Sequence, residues 1–197
     1  MCPTSVLPNP AFSALFYTTS PPMAHINVEI KARCSDLDLA RAILLEAGAD
    51  HQGTDYQKDT YFKVDNGRLK LREGVIENNL IHYVRPDSRE AKVSEVALYS
   101  TGDGSALKEV LARACGVLVV VEKKREILFI ENVKFHLDRV SGLGTFLEIE
   151  AIDMDGRHTR ESLLAQCMHY QKILGVEPGD LLGHSYSDSL LRDKNFS

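Results

Sequence analysis

The run Ile26-Asn27-Val28-Glu29-Ile30-Lys31 alternates apolar and polar residues without a break. A two-residue period is the period of a strand. It places Asn27, Glu29, Lys31 and Arg33 on one face and Val28, Ile30 and Ala32 on the other. Later runs repeat the device: Arg68/Lys70/Arg72, Lys123/Arg125 and Glu148/Glu150. A chain built this way either leaves these faces to water or turns them toward a shared polar cavity. The second arrangement would suit a polyanion and its metal ions.

Further strands are expected at 60–64 and 68–72 around Asp65-Asn66-Gly67, a hairpin turn signal. The same reading gives 80–85 and 91–98 around Pro86-Asp87-Ser88, 119–130 and 133–140 around Glu131-Asn132, and 146–152 after Ser141-Gly142-Leu143-Gly144. Sequential hairpins pair antiparallel. One helix is signalled by Ser35 as N-cap, Asp38 three residues on, the stripe Leu37, Ala40, Ile43, Leu44 and Ala47, and Gly48 as the stop. A second is expected over 107–115, between Ser105 and Gly116. A third is expected over 160–174, between Thr159 and Gly175. Eight strands and three helices make an α+β protein whose antiparallel sheet can close into a barrel.

At 197 residues the chain can bury a sizeable core as one domain. Residues 1–22 hold most of the seven prolines and no charged side chain, and read as a disordered extension, with Met23 as an alternative start. The main domain then spans 23–191, with a tail at 192–197. The segment lacks the basic start of a secretory signal and the arginines of a mitochondrial presequence. A net charge of −5 argues against general nucleic-acid binding, so any basic site is local. No stretch approaches the roughly 20 apolar residues of a membrane helix. Cys2, Cys34, Cys115 and Cys167 are far apart, as in a reduced cytoplasmic protein, and Cys115 and Cys167 read as small buried hydrophobes.

Arg68, Lys70 and Arg72 would lie about 7 Å apart along one strand face. In water that repulsion is small, and the run alone suits a solvated face; inside a closed barrel it calls for an anion. Arginine grips phosphate bidentately and lysine adds a point charge. Lys123 and Arg125 follow Val117–Val121 segments apolar at nearly every position, which suggests cover on both faces. Arg85 adds a cation beside Tyr83. Glu148 and Glu150 share a face, and Asp138 shares one with His136 and Lys134. Paired carboxylates are hard oxygen ligands for Mg²⁺ or Mn²⁺. There is no phosphate-binding P-loop, Gly142 and Gly144 fit a turn, and Ser185 and Cys34 have no base partner in sequence.

In this order the residues resemble the CYTH superfamily, the triphosphate tunnel metalloenzymes. The matching stretches are Asn27-Val28-Glu29-Ile30-Lys31 for its Glu-x-Glu-x-Lys signature, Gln57-Lys58-Asp59-Thr60-Tyr61-Phe62, Gly67 through Glu73, and Glu122-Lys123-Lys124-Arg125. His136-Leu137-Asp138 through Glu148-Ile149-Glu150 follows, then Ser185-Tyr186 with Leu190. The Gly-Leu-Gly and Glu-Ile-Glu region looks closest to the class IV adenylyl cyclase branch. The resemblance implies an eight-stranded antiparallel barrel forming a tunnel, with helices outside. Carried over, Lys31, Arg68, Lys70, Arg72, Arg85, Lys123 and Arg125 would hold phosphates. Glu29, Glu148 and Glu150 would ligate Mg²⁺ or Mn²⁺, with Asp138 as a further ligand or support. Glu29, Lys31 and Lys123 would carry catalysis.

One departure is Asn27 at the first signature acid. It keeps a carbonyl ligand but brings no charge. The absence of tryptophan counts against thiamine triphosphate, which relatives stack on one. The implied partner is a small triphosphate-containing molecule, with no nucleic acid or membrane partner, and the protein a monomer or homodimer. Three readings stay open. The chain hydrolyses a nucleoside triphosphate or tripolyphosphate, or cyclises ATP to cyclic AMP and pyrophosphate. It binds a triphosphate without turnover. Or its charges only pair with each other in a structural barrel.

Overall fold

The computed structural model describes residues 23–84, 92–153 and 155–194. Arg85, the 86–88 turn and the segment 1–22 lie outside the described residues. The eight strands are β1 (Met23–Arg33), β2 (Asp50–Phe62), β3 (Arg68–Glu73), β4 (Asn79–Val84), β5 (Lys92–Ser100), β6 (Val117–Ile130), β7 (Val133–Val140) and β8 (Gly144–Asp153). They close into an antiparallel ring in the order β1-β5-β4-β3-β2-β6-β7-β8. Two meanders, β2 to β5 and β6 to β8, are joined at β2–β6, and β1 closes the ring between β5 and β8. At the β2–β3 hairpin, Gly67 has φ +67°, and a Cβ there would stand 2.6 Å from the Tyr83 carbonyl oxygen, so only glycine fits.

β2 starts ten residues before the strand expected from sequence. Its first half, Asp50 to Asp59, lacks apolar alternation because polar Asp55, Gln57 and Asp59 face inward while Tyr56 and Lys58 face solvent. A strand that is polar on both faces has no hydrophobic period to read.

The helices are α1 (Leu37–Glu46), α2 (Ser105–Cys115), α3 (Arg160–Ile173) and α4 (Tyr186–Lys194), with a 3₁₀ turn at Pro178–Asp180. α1 is capped by Asp36, one residue after the expected Ser35. The Asp36 carboxylate accepts from the Asp38 and Leu39 amides at 3.1 and 2.9 Å. Leu37, Ala40 and Leu44 are buried, Ile43 is half-buried and Ala47 is exposed. α2 lies where the sequence placed it, but none of its residues is buried, so Cys115 is half-buried and not the core residue expected. Cys167 is buried, its thiol donating to the Val28 carbonyl at 3.1 Å. α4 had no counterpart in the sequence reading.

The main apolar core lies outside the ring. Val28, Ile30, Phe135, Leu147 and Ile149, on the outer strand faces, pack under Leu37 and Leu44 of α1 and Leu163 of α3. Each such side chain stabilises the fold by about 1.5–3 kcal/mol. Because these faces are satisfied by helices, the inner faces are left to the polar residues of the same strands. A second cluster joins inward-facing Tyr61, Val119, Val121, Val140 and Phe146 to Tyr186, Leu190 and Leu191 of α4. That helix closes one end of the ring. Val119 and Val121 are covered there, while Val117 and Leu118 are 43% exposed, so the expectation of cover on both faces of this stretch fails at its start.

Candidate active site

All eight strands line one inner cavity of about 300 Å³, near the lower end of the range for small-molecule sites. Period-two alternation aims Glu29 and Lys31 of β1, Lys70 and Arg72 of β3, Lys123 and Arg125 of β6, and Glu148 and Glu150 of β8 into it. These eight residues were singled out from sequence. Three other residues singled out from sequence are not among its described lining. Arg68 pairs with Asp188 of α4 at 3.0 Å and does not line the cavity. Asp138 is fully buried behind Arg125 and does not line it either. Arg85 lies outside the described residues. Arg33, expected on the same face as Lys31, is exposed beside the Phe146 ring.

Lys70, Arg72 and Lys123 meet Asp59, a carboxylate that sequence reasoning assigned no role. Asp59 accepts from Lys123 at 2.7 Å, from Lys70 at 3.1 Å and from both Nε and Nη2 of Arg72 at 2.9 and 3.0 Å. Burial alone would raise the Asp59 carboxyl, but Arg72, Lys123 and Lys70 outweigh it and hold it well below the usual carboxylate range. Burial pushes the Lys123 ammonium well below its ordinary range, against the pull of Asp59 and with the repulsion of Arg72 and Arg125. Arg125 grips Asp138 through Nε at 2.7 Å and Nη2 at 2.5 Å, and reaches Glu148 at 2.9 Å. Glu148 also meets Lys31 at 2.9 Å. Burial would raise Glu148, but Lys31, the His136 hydrogen bond and Arg125 keep it well below its ordinary value. Thus much of the inner charge is neutralised within the ring, where the sequence argument had called for a bound polyanion to balance it.

Three buried polar atoms of the wall have no hydrogen-bond partner among the described residues: Asn27 Oδ1, Ser94 Oγ and His136 Nε2. Asn27 and Ser94 stand opposite each other in the β1–β5 register. His136 is neutral, since burial and the nearby Arg125 lower it to about 4. Its Nδ1 lies 3.1 Å from Glu148 Oε2 and therefore carries the proton, leaving Nε2 with a lone pair in the cavity wall.

A hard cation would find oxygen donors on β1 and β8. Glu29 and Glu150 are direct neighbours in that pairing, and the Asn27 amide donates to Glu150 while leaving Oδ1 available. Among the described residues, no three His, Cys, Asp or Glu side chains converge as a finished ligand set.

Part of the remaining wall is apolar. Ile81 and Leu98 are register partners on β4 and β5, as are Tyr83 and Val96. Lys70 sits directly beside Ile81 across the β3–β4 pair. Sequence reasoning did not find this patch, because its four residues come from two strands and no charge marks them.

A CYTH domain profile matches residues 25–186. No curated protein matches the chain. Among solved structures, the PH1012 protein of Pyrococcus horikoshii OT3 aligns with a TM-score of 0.71 at 25% identity, over 82% of this chain and 98% of its own. A candidate adenylate cyclase from Vibrio parahaemolyticus aligns at 0.64 and 20% identity, over 84% and 98%. HpAC1 of Hippeastrum, a candidate adenylyl cyclase with a dominant triphosphatase activity, aligns at 0.55 and 16% identity, over 86% and 96%. No helix among the described residues is long and apolar enough to cross a membrane.

Proposed function

The chain belongs to the CYTH domain family, and from that premise we propose that it is a divalent-metal-dependent enzyme acting on the phosphate chain of a triphosphate. The observation that carries this reading is the single inner cavity on which Lys31, Lys70, Arg72, Lys123 and Arg125 share a wall with Glu29, Glu148 and Glu150. The basic side chains hold and neutralise the phosphate oxygens. Charge developing in phosphoryl transfer is stabilised by such preplaced cations more than by covalent chemistry. Glu29 and Glu150, with the Asn27 carbonyl and the substrate phosphates, would hold Mg²⁺ or Mn²⁺, while Glu148, expected as a further ligand, is taken up by Lys31 and Arg125. The bound cation would supply Lewis-acid polarisation of the phosphates. The closed end of the ring, filled by α4, excludes water behind Lys31, whose ammonium lies 4.0 Å over the Tyr186 ring.

Hydrolysis to diphosphate and phosphate is the first reading. It needs only phosphate and metal positioning, and the triphosphatase activity of HpAC1 favours it. Cyclisation of ATP is the second. It is favoured by the Ile81, Tyr83, Val96 and Leu98 patch, which offers a nucleobase an apolar wall next to Lys70. The test is to incubate purified protein with Mg²⁺ or Mn²⁺ and either ATP or tripolyphosphate, then resolve the products. Orthophosphate release that is lost in Glu29→Gln and Glu148→Gln is the expected result. Cyclic AMP as the main product would select cyclisation. Thermal stabilisation by tripolyphosphate without turnover would reduce the protein to a binding module, and no response to any phosphate compound would leave only the paired-charge barrel.

A further inference from the structure

The β3–β4 connection sends a carboxylate into the cationic wall. The Asp55 side chain is fully buried and accepts from the backbone amides of Val75, Ile76 and Glu77 at 2.6, 3.1 and 3.0 Å, and from Gln57 Nε2 at 2.9 Å. Gly74 backs directly onto this carboxylate: a Cβ there would stand 2.5 Å from Asp55 Oδ2. Asn78 ties the loop across its base, bonding both the amide and the carbonyl of Gly74. The backbone of the loop is therefore fixed while its tip is open, Val75 being 82% exposed. From this anchored frame the Glu77 side chain turns inward. It accepts from Arg72 Nη1 at 2.7 Å and from Gln57 Nε2 at 2.8 Å, and pairs with Lys134.

Resting on the triphosphate reading above, we propose that the Glu77 carboxylate occupies one anion subsite of the cavity and is the group that an incoming phosphate must displace from Arg72 and Lys134. A carboxylate and a phosphate oxygen present the same chemistry to a guanidinium and an ammonium. Asp59 holds its three cations from a strand and is almost wholly buried, whereas Glu77 projects from a loop, lines the cavity and keeps 15% of its side chain exposed. The surrounding cations overcome burial and keep Glu77 ionised, so it competes for them as an anion. With its backbone pinned by Asp55, the side chain can leave by rotating about its own bonds, and the loop need not unfold. Glu77 thereby sets how tightly the site holds a phosphate chain and withholds Arg72 and Lys134 from weak monoanions.

Calorimetric titration of tripolyphosphate in EDTA, with no metal present, tests the assignment. Glu77→Gln keeps the shape and removes the competing charge. It should bind tripolyphosphate about tenfold more tightly than the wild-type chain, equivalent to about 1.4 kcal/mol. Glu77→Asp keeps the charge but shortens its reach, should gain about threefold, and decides the matter if the Gln variant fails to fold. Wild-type binding that is unchanged or weakened in both variants overturns the role of Glu77 and leaves the phosphate site standing. Binding by none of the three proteins overturns both.

Discussion

The Tyr186 hydroxyl donates to Asp138 Oδ2 at 2.8 Å, on the same carboxylate that Arg125 grips through two nitrogens. This bond ties the C-terminal helix α4 to the wall of the ring. It also shows what Asp138 does: enclosed by Arg125 and Tyr186, it orients the arginine toward the cavity from behind. Tyr186→Phe deletes only the hydroxyl. A hydrogen bond to a charged group contributes about 1.5–3 kcal/mol, so the variant should melt several degrees below the wild-type chain. An unchanged melting temperature would mean that the hydroxyl does not fasten α4.

Lys70 and Arg125 should separate binding from folding. Lys70 shares Asp59 with Arg72 and Lys123, so removing it leaves that carboxylate well neutralised. Lys70→Ala should weaken tripolyphosphate binding about tenfold or more with little loss of melting temperature. Arg125 is different, because its loss strips Asp138 and weakens the pairing of Glu148 inside the ring. Arg125→Met should cost about 3–5 kcal/mol in denaturant unfolding. Equal effects of the two substitutions on stability would contradict the pairing described.

Stability should fall with acid before the carboxylates titrate. His136 stays neutral in the fold down to about 4, against an ordinary value of 6.5. Between those values the unfolded chain binds a proton that the folded chain does not, so stability is lost as pH drops from about 6.5 to about 4. The full loss from this group is about 3 kcal/mol. Asp59 and Glu148 lie below their ordinary values and add their own loss only at lower pH. Denaturant midpoints in EDTA at pH 7 and pH 4.5 should differ less in His136→Asn than in the wild-type chain. Equal acid sensitivity in the two proteins would show that His136 is not held neutral.

Much of the architecture is legible in period-two patterning. Alternation places Glu29 and Lys31 of β1, Lys70 and Arg72 of β3, Lys123 and Arg125 of β6, and Glu148 and Glu150 of β8 each on one face of its strand, and that face is the inner one, while Arg33 at the end of β1 is exposed. The first half of β2 is illegible because both its faces are polar. α4 is illegible because its value lies in what it fills. Tyr186, Leu190 and Leu191 complete an apolar cluster whose other members come from β2, β6, β7 and β8. The partners of the cations escape sequence reasoning for the same reason. Asp59 meets Lys123 across 64 residues of chain, and Glu77 lies 57 residues from Lys134. No local spacing encodes such a pair.

The amino-acid sequence by itself determined which faces of the strands are ionic and which are apolar, since alternation at the strand period assigns every side chain to one side or the other. Only ring closure decided that the ionic faces look inward. The apolar faces are the ones that α1 and α3 cover, and once covered they leave the charged faces no place but the interior. There the low dielectric makes each charge seek a partner, and the close approach of Asp59, Glu77, Asp138 and Glu148 to the basic wall is a product of that enclosure alone.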